Sequence, residues 1–102
     1  MKSVTMCIFT DEKHLGDVKN LVLPVDSTLY VLGLNKKEHK TCIQVAKKHR
    51  AFNLLEEHGI VMVIIEAGNR LIKVAGAEAI DQFLSMYFAQ TPQKPEINLE
   101  RL

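Results

Sequence analysis

The sequence predicts an α/β fold: a small four-stranded mixed sheet with helices on both faces, in the order β-α-β-α-β-β-α. Three observations predict it. Ile60–Ile65 is an unbroken apolar run, and Gly68-Asn69 separates it from Leu71–Ala75, which is the pattern of a hairpin. Ile80, Phe83, Leu84, Tyr87 and Phe88 then recur at i, i+3, i+4, i+7 and i+8, the spacing of an amphipathic helix. Upstream, the apolar runs Val4–Phe9 and Leu29–Leu34 alternate with segments of helical period.

Taken in order, Val4–Phe9 is the first strand. Thr10 can cap a helix after it, with Asp11 and Glu12 in the first turn. Leu15, Val18 and Val22 share one face of this short helix, which Gly16 weakens and Pro24 ends. Asp26-Ser27 reads as a turn. Leu29–Leu34 is apolar on both faces, which predicts a central strand. A second helix then starts near Lys36, with Cys42, Val45, Ala46, His49 and Asn53 on one face. Ile43 and Leu54 lie off that stripe, so the helix is wide-faced or kinked near Arg50, and Gly59 stops it. Because it joins two apolar strands, a right-handed parallel crossover is expected. Lys73 suits the strand Leu71–Ala75 to an edge. Thr91-Pro92 ends the last helix.

At 102 residues the chain has room for one domain, expected over 1–90, with an extended tail over 91–102. Hydrophobic residues at 47% and charged residues at 25% exclude disorder. Cys7 and Cys42 form no CxxC, zinc spacing or disulfide framework. Met1 to Thr10 lacks the pattern of a secretory signal, and Ile60–Ile65 falls far short of the roughly 20 residues of a membrane span. A cytoplasmic protein with reduced thiols, and no membrane partner, is the expectation.

The net charge of +1 conceals one basic segment. Between 36 and 50 stand Lys36, Lys37, Lys40, Lys47, Lys48 and Arg50 against Glu38 alone, while both flanks are net acidic. Such a block is either a solvated helix face or a contact for an anionic partner.

Three stretches carry a family resemblance. They are Glu57-His58-Gly59-Ile60, the hairpin Val63–Leu71 with its glycine, and Val74–Leu84 running from strand through Gly76 into the closing helix. They resemble the last third of thioredoxin-like domains, and the element order is that of the thioredoxin fold. The resemblance implies a thioredoxin-like scaffold. In that family a CxxC opens the helix after the second strand; here His39-Lys40-Thr41-Cys42 stands there, with His39 in place of the attacking cysteine. The family's cis-proline before the third strand is also missing, since the prolines are at 24, 92 and 95. Dithiol exchange needs two thiols, so this scaffold is expected to be redox-inactive.

The remaining chemistry is read from residue types. Cys42 is a candidate thiol with His39 as activator, because a helix start and nearby cations lower a thiol pKa; the reading preferred to this is a small apolar residue of the core beside Val45 and Ala46. His39 and Cys42 can share a metal, but His49 lies about 10 Å further along the helix, so neither a metal nor another cofactor is expected. There is no G-x-S-x-G, Walker or G-x-G-x-x-G motif, and no enzyme is predicted. Gly33–Lys37 is a weak phosphate signal at a helix start. The expected function is non-catalytic protein binding, as an adaptor. The β-edge Leu71–Val74, the tail residues Ile97, Leu99 and Leu102, or a homodimer through the hairpin edge or Tyr87-Phe88 would serve it. The first alternative is nucleic-acid or other anion binding through Lys36, Lys37, Lys40, Lys47, Lys48 and Arg50, by phosphate contacts rather than base stacking. The second is single-thiol redox chemistry at Cys42.

Overall fold

The computed structural model describes residues 4–23, 27–68 and 70–89, so the predicted tail, the turn residue Asp26 and the hairpin residue Asn69 lie outside the described residues. Among the described residues, eight elements succeed one another: β1 (Val4–Asp11), α1 (Leu15–Lys19), β2 (Thr28–Leu32), α2 (Lys36–Lys48), α3 (Phe52–His58), β3 (Ile60–Glu66), β4 (Arg70–Ala75) and α4 (Ala77–Ala89). The strands form one mixed sheet in the order β2-β1-β3-β4. β1 and β2 are parallel, while β1–β3 and β3–β4 are antiparallel.

Strict alternation along β1 and β3 builds two cores. Met6, Ile8, Ile60, Met62 and Ile64 face α1 and α4, where Val18, Ile80 and Leu84 complete the cluster. Cys7, Phe9, Val61 and Val63 face the other way, against Cys42 and Ala46 of α2, Ala51, and Leu55 of α3. The mixed four-stranded sheet with helices on both faces is therefore as the periodicities predict.

Four local expectations are corrected. The first strand runs on to Asp11, so Thr10 donates its hydroxyl proton to the Asp11 carbonyl instead of capping a helix. The short helix begins only at Leu15 and ends at Lys19, leaving Val22 exposed. β2 is an outer strand, not a central one, and Leu29 is 43% exposed. Tyr30 and Leu32 pack on the α2 side, whereas Leu29 on the other face stays exposed, so an apolar run on both faces does not make a strand central.

The fourth correction concerns the long helix. It breaks into α2 and α3, and the strands that it joins are antiparallel because β1 lies between them, parallel to one and antiparallel to the other. The break is a Schellman end. The Ala51 N–H reaches the Ala46 carbonyl at 2.8 Å, and the Arg50 N–H reaches that of Lys47 at 3.0 Å, with Arg50 at φ 59°. α2 starts beside the end of β2, and α3 ends beside the start of β3, where the Asp11 N–H bonds the Gly59 carbonyl at 2.9 Å. The chain goes out and returns to the same end of the sheet. The parallel crossover is instead made through α1, between β1 and β2.

Candidate functional site

The basic segment becomes α2 and the corner after it. Gly33 turns the chain at φ 91°, and the Asn35 side chain accepts the Glu38 N–H at 2.9 Å, so the helix opens at Lys36. Cys42 and Ala46 are its buried residues. At 3.6 residues per turn, Lys36, Lys37, Lys40, Lys47 and Lys48 fall within a sector of roughly 120° opposite that buried face. All five, and Arg50, are exposed. The lysines extend over about 18 Å of helix at 1.5 Å per residue. Among the described residues, the ion pairs involve Asp11, His14, Glu57, His58, Glu66 and Arg70, and none of these six cations.

Two shallow depressions flank this face. One, at the helix start, is lined by Gly33, Asn35, Lys36 and His39. The other, at the corner, is lined by Lys47, Arg50, Phe52 and Asn53. There the Lys47 ammonium sits 5.1 Å from the centre of the Phe52 ring, a cation–π distance. Lys73 of β4 reaches the same corner and donates from Nζ to the Arg50 carbonyl at 3.2 Å. Lys73 and Asn53 escape sequence reasoning as site residues. An outward lysine on an edge strand is the only signal for the first, and Asn53 falls on the expected buried stripe until the helix break turns it out.

His39 and Cys42 are not brought together in a cleft. His39 is exposed, while Cys42 has no accessible surface and packs in the core with Cys7, Phe9 and Ala46. Burial pushes the Cys42 thiol up to about 11, and the Glu38 carboxylate adds to the rise. Burial likewise raises Cys7. Desolvation thus dominates at Cys42, and it favours the thiol over the thiolate near neutral pH. Both cysteines are free.

Among the described residues no group of three His, Cys, Asp or Glu can hold a metal ion. His49 is half-buried, and burial with the adjacent Lys48 lowers its pKa. The pair that sequence reasoning missed is Asp11 with His14, whose ring Nδ1 lies 2.7 Å from Asp11 Oδ1. Its only sequence signal is the Asp-x-x-His spacing after a strand. For the expected protein edge, β4 is an outer strand with Leu71 exposed. On the last helix, the Tyr87 hydroxyl donates to Glu66 at 2.6 Å. No helix among the described residues is long and apolar enough to cross a membrane. Compared with protein-family models, curated proteins and solved structures, the chain matches none.

Proposed function

We propose that this chain is a non-catalytic binding domain on a redox-inactive thioredoxin-like scaffold, and that its binding face is the basic side of α2, which takes the phosphate backbone of a nucleic acid. The parallel β1–β2 pair, the antiparallel β3–β4 hairpin and the closing α4 support the scaffold. The redox-inactive part rests on the buried, protonated Cys42. The single observation that carries the binding reading is the exposure of six cations along α2 and its corner, with no ion pair among the described residues.

Chemistry favours nucleic acid over a protein partner on this face. Protein interfaces are depleted in lysine and depend on buried aromatic or arginine anchors. The outer side of α2 carries Lys36, Lys37, Lys40, Gln44, Lys47 and Lys48 and no aromatic residue. Lysines contacting phosphates need no such anchor, because released counterions supply the free energy. Adaptor binding or self-association remains a second reading, favoured by the exposed Leu71 on the outer strand β4, and light scattering tests its dimeric form.

The test is titration of fluorescent duplex and single-stranded oligonucleotides between about 50 and 200 mM salt. Affinity should fall steeply with salt, and Lys36→Ala with Lys40→Ala should weaken binding and flatten that dependence. Binding that ignores salt, or no binding to either strand form, overturns the nucleic-acid reading.

A further inference from the structure

Arg50 holds a backbone conformation that the described chain otherwise gives to glycine. Gly33, Gly59, Gly68 and Gly76 take positive φ, and among the described residues Arg50 alone does so with a side chain. A Cβ in this region crowds the following carbonyl oxygen. Glycine would end α2 with the same two hydrogen bonds and without that strain. The helix end gives no reason for arginine, so what arginine adds is its guanidinium. Strain kept at one position is a pointer to function.

The guanidinium has company. Arg50 lines its depression with Lys47, Phe52 and Asn53. Lys73 is anchored on the Arg50 carbonyl, which occupies one of the three N–H donors of its ammonium and leaves two. Lys47 is steadied over the Phe52 ring, and the exposed Asn53 brings an amide. Lys47 and Arg50 thus line one concave spot, and Lys73, 23 positions further along the chain, is tied to the Arg50 backbone beside it.

An internal phosphodiester carries one negative charge, and the lysines along α2 suffice for it. A phosphate monoester carries about −1.5 to −2 at neutral pH and three acceptor oxygens. We infer that the corner formed by Lys47, Arg50, Asn53 and Lys73 is a phosphate-monoester site, which holds the terminal phosphate of a nucleic-acid strand whose internal phosphates lie along α2. The inference rests on the nucleic-acid reading of α2. The planar Arg50 fork supplies a bidentate grip on two phosphate oxygens, and the lysines supply point charges.

The experiment uses labelled oligonucleotides of one sequence that differ only in ending with a phosphate or a hydroxyl, at either end. The phosphorylated form should bind about tenfold more tightly at one end. Arg50→Gly, which relieves backbone strain and keeps the helix end, should bring that ratio close to one. Lys36→Ala with Lys40→Ala should weaken both forms and preserve the ratio. Equal affinity of phosphate and hydroxyl ends, with binding intact, overturns the corner site and leaves the α2 reading standing. No binding of either form overturns the α2 reading and the corner site with it. A nucleoside monophosphate that binds as tightly as the phosphorylated strand overturns the strand as the source of the phosphate.

Discussion

His14 delivers two hydrogen bonds to a single oxygen of Asp11: its backbone N–H reaches Oδ1 at 2.9 Å and its ring Nδ1 lies 2.7 Å from the same atom. The pair ties the end of the central strand β1 to the start of α1. Burial alone would raise the Asp11 pKa. The hydrogen bonds from the His14 ring and backbone, with the charges of His14 and Lys13, outweigh burial and hold it below the ordinary carboxylate value. A depressed folded-state pKa stabilises the fold fully above the unfolded value of about 3.9, and that contribution is lost as pH falls through the folded value. Asp11→Asn should cost about 1 kcal/mol at neutral pH and make the loss of Tm below about pH 4 shallower. Matching acid limbs for the two proteins would show that the pair contributes nothing.

Gly59 makes the same corner sensitive to a single methyl group. It ends α3 at φ 79°, where a side chain is strained. A Cβ built there would fall on the His14 ring and lie 2.9 Å from Asp11 Oδ2. Gly59→Ala must therefore adopt an unfavourable φ and also displace the Asp11–His14 pair. A loss of about 2–4 kcal/mol is expected by denaturant unfolding. A loss under about 1 kcal/mol would mean that His14 swings away at little cost.

The contrast between β3–β4 and α2–α3 shows what is legible in the sequence. The hairpin and α4 can be read directly, because each carries its period within one contiguous stretch. The edge position of β2 cannot, because an apolar pattern does not record the number of strand neighbours, and the apolar Leu29 stays exposed. The helix break at Arg50 is visible only as a stripe that drifts off register, since arginine is not a helix-stop signal. The six cations of the candidate face are legible as a block, and their exposure is dictated by the apolar residues opposite them. The corner is not legible, because Lys73 joins it across the sheet edge. Sequence alone leaves Cys42 open between reactive thiol and core residue for a related reason: helix-start electrostatics are written locally, whereas desolvation depends on β1 and β3 packing over the thiol.

That burial makes Cys42 testable. A thiol reagent should modify it in the folded protein no faster than the chain unfolds, and raising the pH through 8 should do little, because its pKa is pushed up to about 11. Cys42→Ser places a hydroxyl at a site without accessible surface and should cost about 1–3 kcal/mol. Rapid labelling of the native protein, titrating below about 8.5, would restore the single-thiol redox reading.

Tyr87 fastens α4 to the sheet through its 2.6 Å hydrogen bond to Glu66 Oε2, while its ring stacks on Phe83 at 5.2 Å between centres. Donation to the carboxylate, then burial, then the Glu66 charge raise the Tyr87 pKa to about 12, against a smaller opposing effect of Arg70. A raised folded-state pKa gives stability that is fully present below the unfolded tyrosine value of about 10 and is lost as pH rises through the folded one. Between those values the protein should lose stability with pH, because the unfolded chain releases a proton that the folded chain keeps. Tyr87→Phe removes the hydroxyl and leaves the ring, so it should cost about 1 kcal/mol near neutral pH and flatten this alkaline decline. The difference in phenolate absorbance between the two proteins should place the Tyr87 midpoint near 12. A midpoint close to 10 would mean that the hydroxyl is solvated and that α4 is held by its apolar face alone.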